Sequence, residues 1–283
     1  SGWTTPDTLE YLTGIKVYNL GVSGETSNEI ALRQGGIKMY VDNTFEVGYD
    51  DSVEVSIVDE YGNPVYMADF SAYGYVEPHE PDVVYINDDM FKITGTEETG
   101  LYICRYSETE VGGDAFTTVY EGTQVTTKAS YERKGDILIL EIGSNGGWDN
   151  YRQLISQYDA MIQNAGCDYY IIVGDTDDPG TSIADTSQGF CNEDGTYIGV
   201  GDTAWEATLS EAYGEHFINM RTYLIENGLS DAGLRATNAD YRGFRRGRIS
   251  KQLRSDWTHF NSYGYYAKGL AIYEKGVELG YWK

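Results

Sequence analysis

The stretch Asp256-Trp257-Thr258-His259-Phe260-Asn261 is followed by Ser262-Tyr263-Gly264 and a segment of helical character. An Asp three residues before a His, just ahead of a helix, can place both side chains on one side of a turn. The carboxylate can then orient the imidazole while the other ring nitrogen acts as a general base. The chain has only 3 histidines, so few groups can move a proton near pH 7. Asp256 and His259 are therefore the candidate catalytic pair, and the alternative is that this short pattern is structural.

Two Gly-rich turns follow apolar runs elsewhere in the chain. Asn19 to Ser27 follows the run 15–20, and residues 142–147 (Ile-Gly-Ser-Asn-Gly-Gly) follow the run 136–141. A backbone N–H or an Asn side chain in such a turn can point at a ligand. An oxyanion hole needs donors of this kind, fixed before charge develops. Each turn taken singly is also typical of an ordinary connection between a strand and a helix.

Together and in this order, the three stretches resemble the SGNH (GDSL) hydrolase family. Residues 19–26 match the family's second block, N-x-G-x-x-G-x-T, and residues 143–145 match its third block, G-x-N. Residues 256–259 match its fifth block, D-x-x-H. The resemblance covers residues 1–36 and 132–283.

The resemblance implies a role for each matched residue. His259 would be the general base of a Ser-His-Asp mechanism, and Asp256 would orient it. The backbone N–H of Gly24 and the side chain of Asn145 would form the oxyanion hole. This chemistry requires neither a metal nor an organic cofactor.

The family's first block, a strand followed by G-D-S with the nucleophilic serine, is missing from this chain. We therefore expect the nucleophile upstream of Ser1, on a segment that also supplies a central strand. Ser1 and Ser144 are rival nucleophiles, but Ser144 stands where the family has a variable residue. Gly-Asp-Thr at 174–176 and 201–203 imitates the block in the wrong order.

Alternating strand and helix patterns predict the fold class. Apolar runs predict strands at 15–20, 136–142, 168–173 and 216–220. Helical patterns lie at 5–12, 27–34, 149–165, 205–213, 222–226 and 262–279. Such alternation predicts an α/β protein, a three-layer α/β/α flavodoxin-like parallel sheet with the site at the carboxyl ends of its strands.

Between Ile37 and about Arg133 the pattern changes to short strands separated by Gly, Asn and Pro turns, which predicts an antiparallel unit. The predicted domains are a discontinuous hydrolase-like domain, residues 1–36 and 132–283, and an inserted β-rich lobe, residues 37–131.

Composition restricts the partners. The chain has 283 residues, a net charge of −25 and 20 Lys and Arg against 45 Asp and Glu. Such an acidic protein is a poor partner for nucleic acid or an anionic membrane surface. No apolar run reaches membrane length. With 3 cysteines at most one disulfide is possible, so the cysteines determine the compartment only weakly. The charge, the 26 tyrosines and the resemblance favour secretion.

Other charged groups of the sequence are candidate binding sites. Asp175, Asp177 and Asp178 are oxygen donors suited to Ca²⁺, but they lack EF-hand spacing, and a solvated loop is the preferred interpretation. His79 is interpreted as a loop residue and His216 as structural. The basic run 242–254 is either a solvated patch or a contact for uronic acids or other anionic groups of a substrate.

The predicted function is that of a carboxylic ester hydrolase that removes O-acetyl groups from a carbohydrate or polysaccharide outside the cell. Many aromatic residues favour a sugar over a lipid, because ring faces suit the apolar faces of sugars. The alternatives are a non-catalytic carbohydrate-binding module on a degenerate hydrolase scaffold, and a lipid esterase. The expected partner is a carbohydrate or small ester substrate.

Overall fold

The structure, a computed structural model, describes most of the chain. The described ranges are 2–49, 51–66, 83–106, 116–179 and 201–283. His79 and Cys191, together with much of the loop between Asp175 and Thr203, lie outside them.

The chain divides into two compact units. We call Ser1–Asn19, Ile137–Ile155 and Tyr169–Lys283 the parallel-sheet unit, and Leu20–Asp136 with Ser156–Asp168 the antiparallel-sheet unit. The predicted boundaries, 1–36 with 132–283 and 37–131, are not tested by this division and stay a prediction.

Short strands dominate the described residues of the antiparallel-sheet unit. They are β1 (Met39–Val41), β2 (Phe45–Val47), β3 (Ser52–Val55), β4 (Ile57–Asp59), β5 (Val83–Ile86), β6 (Asp89–Thr96), β7 (Gly100–Arg105), β8 (Thr117–Val119) and β9 (Gln124–Thr127). Seven form one sheet in the order β3-β7-β6-β5-β9-β1-β4, and β2 pairs with β8. All neighbours are antiparallel, as the pattern from Ile37 predicted. Helices α2 (Ser27–Arg33) and α3 (Lys128–Glu132) and the second part of α4 (Tyr151–Ala165) also belong to the unit.

The seven-stranded sheet curves towards a closed barrel. Its two edge strands, β3 and β4, are separated in sequence by Ser56 alone. β3 pairs with β7 at one edge, and β4 pairs with β1 at the other. One bent segment therefore supplies both edges, which brings the ends of the sheet together around a core that includes Ile57, Phe91 and Ile103.

The hairpin between β5 and β6 shows how local sequence shapes this sheet. Ile86 pairs with Asp89 across a two-residue turn. Asn87 and Asp88 in that turn have φ values of 52° and 66°. Asn and Asp tolerate this left-handed conformation, which two-residue hairpins require.

The parallel-sheet unit contains three short strands. They are β10 (Leu138–Leu140), β11 (Tyr170–Val173) and β12 (Phe217–Ile218), in the order β10-β11-β12. Both pairings are parallel, with Ile139 opposite Ile171 and Ile172 opposite Phe217. Its helices are α1 (Thr5–Thr13), the first part of α4 (Tyr151–Ala165), α5 (Ala204–Tyr213), α6 (Met220–Glu226), α7 (Gly228–Asp231), α8 (Asn238–Phe244) and α9 (Ser262–Glu278).

Helix α9 packs over the core of this unit. Ala267, Ala271 and Ile272 of α9 join a buried cluster with residues of β11 and β12. Helix α1 lies close against α9, because Gly269 has no side chain. A Cβ at that position would meet Thr8 Cβ at 2.5 Å.

The predicted fold class is wrong. The described residues do not form a three-layer flavodoxin-like parallel sheet. Their largest sheet is the antiparallel one of seven strands, and parallel pairing is limited to three. β12 is only two residues long. The helices predicted at 5–12, 27–34, 149–165, 205–213, 222–226 and 262–279 are confirmed, with small shifts in their ends.

Part of the error lies in residues 15–20, which form no strand. Ile15 and Tyr18 are 46% and 47% exposed. The N–H of Val17 donates to the carboxylate of Glu10 at 2.8 Å instead of to a strand neighbour. An apolar run indicates affinity for a core, but it becomes a strand only where a neighbour offers a ladder of hydrogen bonds.

Candidate functional site

Asp256 and His259 lie in the loop ahead of α9, and their side chains are in contact, as the spacing predicted. Asp256 Oδ2 lies 2.8 Å from His259 Nδ1. Asp256 Oδ1 accepts the N–H of Thr258 at 2.9 Å and of His259 at 2.7 Å. The imidazole is 64% exposed and the carboxylate 46% exposed. The pair is thus formed and open to solvent, and its catalytic role stays a prediction.

The hydrogen bonds to Asp256 keep it ionised. The backbone N–H groups of His259 and Thr258, followed by the His259 ring, lower the pKa of Asp256 to about 2. Because an ionised carboxylate only accepts hydrogen bonds, Nδ1 of the imidazole carries the proton that faces it. The lone pair of a neutral ring is then at Nε2, for which the described residues offer no hydrogen-bond partner. That is the arrangement of a general base.

The start of α9 holds the loop that carries the pair. Asn261 caps the helix by accepting the N–H groups of Tyr263 and Gly264 at 3.0 and 3.2 Å. Its amide donates to Gln252 O at 2.8 Å. The N–H of Ser255 donates to His259 O at 3.0 Å. The loop is therefore closed on itself and on the helix, which limits the orientations open to the imidazole.

A second loop, which we call the aspartate loop (residues 175–178), follows β11 and supports the pair. Thr258 Oγ1 donates to Asp177 Oδ1 at 2.9 Å. Arg254 bridges the two loops, because it donates to Thr176 O at 2.5 Å and to Thr258 O at 2.8 Å. Thr176 and Asp177 are buried, so the preferred interpretation of this segment as a solvated loop is wrong at these positions.

The aspartate loop also contacts the turn that follows β10. Ser144 Oγ donates to Asp175 Oδ1 at 2.7 Å, and the N–H of Asp177 donates to Asp175 Oδ2 at 3.2 Å. Burial, and then the charge of Asp177, raise the pKa of Asp175 to about 6. The turn with Asn145 and the loop with His259 are therefore joined to the same aspartate loop, at the carboxyl ends of β10 and β11.

The turn after β10 has a shape that only glycine allows. Gly143 has φ +109°, and a Cβ there would lie 2.7 Å from Trp205. Trp148 Nε1 donates to Gly143 O at 2.9 Å. The N–H of Gly146 returns to the same oxygen at 3.0 Å. Asn145 is exposed at this tight turn, and its role as an oxyanion donor stays a prediction.

An ion pair with a buried lysine ties α9 to the end of β10. Lys268 Nζ donates to both carboxylate oxygens of Glu141 at 2.7 Å. The Lys268 side chain is almost fully buried, at 7% exposed. Loss of Glu141, which is 38% exposed, would leave the buried Lys268 ammonium without its carboxylate partner. The contact therefore fixes the helix that begins after His259 against the strand that leads to Asn145.

Gly24, the other predicted oxyanion donor, belongs to the antiparallel-sheet unit. It has φ +86°, in a turn where the N–H of Glu25 donates to Val22 O at 3.5 Å. Thr26 then caps α2 through a capping box with Glu29. Glu25 is buried in an ion pair with Arg33. The turn is well anchored, and a role for the Gly24 N–H stays a prediction.

His216 has the structural role that the sequence predicted. Its ring stacks on Tyr170 at 4.2 Å, and its Nδ1 contacts Tyr281 Oη at 2.9 Å. Ser144, Asp175 and Asp177 were not predicted as a connected set. A signal existed, since all three follow directly on predicted strands, where sites in parallel sheets lie. Among the described residues no group of three or more His, Cys, Asp or Glu could hold a metal ion.

Comparison with known proteins found no matching family model, no matching curated protein and no matching solved structure. None of the helices in the described part of the chain combines the length and apolar character needed to cross a membrane.

Proposed function

We propose that this protein is a serine-type carboxylic ester hydrolase that removes O-acetyl groups from a carbohydrate. The observation that carries the proposal is the Asp256–His259 pair. Its ionised carboxylate holds Nδ1, and Nε2 faces solvent. The resemblance of three ordered motifs to the SGNH family supports the same reaction class.

The proposed reaction uses His259 as both base and acid. Nε2 takes the proton of a serine hydroxyl as its oxygen bonds to the ester carbonyl carbon. The imidazolium, stabilised by Asp256, then gives this proton to the departing sugar hydroxyl, leaving an acyl-enzyme. Water attacks next, with its proton passing to Nε2, and acetate leaves as the proton returns to the serine.

The negative oxygen of each tetrahedral intermediate needs fixed donors. We assign the Asn145 side chain to this role. The turn of Asn145 is held by the bonds to Gly143 O and by the Ser144–Asp175 contact. The N–H of Gly24 is the proposed second donor, on the strength of the motif alone.

For the nucleophile we propose a serine other than Ser144, on a strand that pairs with β10. β10 is an edge strand of the parallel sheet and has β11 as its one neighbour among the described strands. Its side chains are nevertheless half-buried or buried at Leu138, Ile139 and Leu140. The open edge presents backbone N–H and C=O groups to which a further strand can add.

Exposed aromatic side chains close to the pair favour a sugar substrate. Trp257 lies directly before Thr258 and is 65% exposed. Tyr263 is the second residue of α9 and is also exposed. Large exposed aromatics are ordinary singly, but rings beside a general base can stack on sugar faces.

A fluorophosphonate probe tests the proposal in the full-length protein. An activated serine bonds to phosphorus and releases fluoride, and peptide mass spectrometry then identifies the labelled residue. We expect one labelled serine, with labelling lost in His259→Ala and kept in Ser144→Ala. Acetylated oligosaccharides should be hydrolysed faster than long-chain aryl esters.

Three results would contradict the proposal. Labelling that persists in His259→Ala would remove the histidine from the mechanism, and label on Ser144 would make that residue the nucleophile. A folded protein that binds sugar but neither labels nor hydrolyses acetyl esters would be a carbohydrate-binding module.

A further inference from the structure

A strongly basic segment stands out in this acidic protein. Residues 242–254 carry 6 of the 20 Lys and Arg in the chain and no Asp or Glu, although the net charge is −25. The nearest acid on the amino-terminal side, Asp240, is buried. It accepts hydrogen bonds from Ser250 Oγ at 2.6 Å and from Gln252 Nε2 at 2.9 Å.

Most cations of this segment point into solvent. We call Arg242, Arg245, Arg246 and Lys251 the basic patch, and all four are exposed. Arg248 is exposed as well and lies 3.5 Å from Asp178. In the part of the chain that the structure describes, the four patch side chains form no ion pair, despite 45 acidic residues in the sequence.

The backbone beneath the patch is fixed without using the patch side chains. Arg221, a buried residue, donates to Gly247 O at 2.8 Å and pairs with the buried Glu206. The N–H of Arg248 donates to Gly243 O at 3.1 Å, which closes the turn after α8. Like charges three and four residues apart on a helix face repel one another. Among the described residues, the fold therefore holds several cations along one segment and gives them no ion-pair partner.

Contacts lead from this segment to the catalytic pair. Arg248 contacts Asp178 of the aspartate loop, whose Asp177 accepts the hydrogen bond from Thr258. Arg254, the last cation of the run, donates to Thr258 O. Tyr241, which is 55% exposed, precedes the first patch arginine directly. The segment is thus next to the loop of His259 and offers both charge and an aromatic face.

We propose that the basic patch binds the anionic groups of a polysaccharide whose ester lies at His259. This inference rests on the proposed function and adds the class of substrate. Guanidinium groups bind carboxylate and sulfate with paired hydrogen bonds, and an anionic polysaccharide repeats such groups along its length. An isolated cationic surface also offsets the repulsion that such a chain meets at the rest of this protein.

A nucleic acid is a poorer partner for the same patch. Its phosphates are more densely spaced than the charges of a polyuronate, and the net charge of −25 opposes its approach. The exposed rings of Tyr241 and Trp257 suit sugar faces as well as bases, so the two polymers must be compared directly.

Titration calorimetry with the full-length protein tests the proposal. The probes are polygalacturonate, dextran sulfate, neutral dextran and single-stranded poly(A), each at about 0.05 M and about 0.5 M salt. The variant is Arg245→Gln with Arg246→Gln. The matched control is Lys16→Gln with Lys134→Gln, two cations lost from exposed positions outside the patch. Turnover of an aryl acetate is measured in parallel.

We expect binding of polygalacturonate or dextran sulfate at low salt, weakened about tenfold by the patch variant and little by the control. High salt should weaken binding of the anionic polymers, neutral dextran should bind poorly, and aryl-acetate turnover should be unchanged in both variants. The better of the two polymers identifies the anion as carboxylate or sulfate.

Three results would overturn the inference. The first is equal binding of neutral dextran, the second is unchanged binding by the patch variant, and the third is tighter binding of poly(A) than of either polysaccharide. Loss of aryl-acetate turnover with binding intact would contradict the proposed function and not the patch, because binding is measured without turnover.

Discussion

Replacing Asp256 with Asn should abolish most of the activity without unfolding the protein. The backbone N–H groups of Thr258 and His259 both donate to Asp256 Oδ1. An amide oxygen can occupy that position and keep both bonds. The amide nitrogen then faces His259 Nδ1, where Oδ2 lies in the native protein at 2.8 Å.

This change forces the wrong tautomer on the imidazole. An amide nitrogen can only donate, so Nδ1 must accept and the ring proton moves to Nε2. The ring then has no lone pair towards the nucleophile. In a buried triad the carboxylate-to-amide change lowers kcat about 10⁴-fold. Because this pair is half exposed, water can also serve the ring, and we expect a loss of about 10³-fold in kcat.

The assay is steady-state hydrolysis of an aryl acetate by the full-length protein. Asp256 contacts the ring and not the substrate in the proposed reaction, so kcat should fall and KM should stay nearly constant. Asp136→Asn, an exposed acid in the antiparallel-sheet unit, is the matched control. A kcat within about fivefold of wild type in Asp256→Asn, with an unchanged melting temperature, would refute the assignment of Asp256 as the orienting group.

Three further changes test the surroundings of the pair. Thr258→Val should lower kcat several-fold by removing the hydrogen bond to Asp177, and Thr258→Ser should keep both the bond and kcat. Equal kcat values in the wild type and the two variants would contradict a positioning role for Thr258. Gly143→Ala should lower the free energy of unfolding, measured by chemical denaturation, by about 2–4 kcal/mol, because of the positive φ and the contact with Trp205. Gly146→Ala places its new Cβ near no other atom and should lower the free energy of unfolding by about 1–2 kcal/mol. Equal losses in the two variants would contradict a role for the contact between Gly143 and Trp205. Burial holds the pKa of Asp175 at about 6, above its ordinary 3.8. Between these two pH values the folded protein keeps a proton on Asp175 that the unfolded chain releases. Stability should therefore fall as pH rises from about 4 to about 6, by on the order of 3 kcal/mol, and Asp175→Asn should remove this slope in denaturant titrations; an unchanged slope would contradict it.

The sequence predicted the contact between Asp256 and His259 and most helices of the structure. Asp256 and His259 are three residues apart, so their contact depends on one local turn. The helix ends follow from capping residues next to them, such as Thr203 before α5, whose side chain accepts the N–H of Glu206 at 3.1 Å. Such caps depend on residues a few positions apart, so the local sequence is enough to predict them.

The sheets could not be predicted in the same way, because pairing joins residues far apart in sequence. Residues 15–20 and 138–140 look alike as apolar runs, yet only the second has a strand neighbour. Similarly, no local pattern shows that β3 and β4 close opposite edges of one sheet across Ser56.

The aspartate loop was misinterpreted for the same reason. Asp175 and Asp177 occur in a polar segment that resembles any surface loop. Their partners, Ser144 and Thr258, lie 31 and 81 residues away in the chain. Only the fold shows that these carboxylates are half-buried and buried, respectively, and that Asp177 supports the loop of His259.

The most direct test of the central claim is aryl-acetate hydrolysis by the full-length protein beside its His259→Ala variant. We expect wild-type turnover and its loss in the variant, with the fold and the binding of polysaccharide retained. Turnover that survives in His259→Ala, or a folded wild-type protein that hydrolyses no ester, would contradict the assignment of His259 as the general base of an esterase.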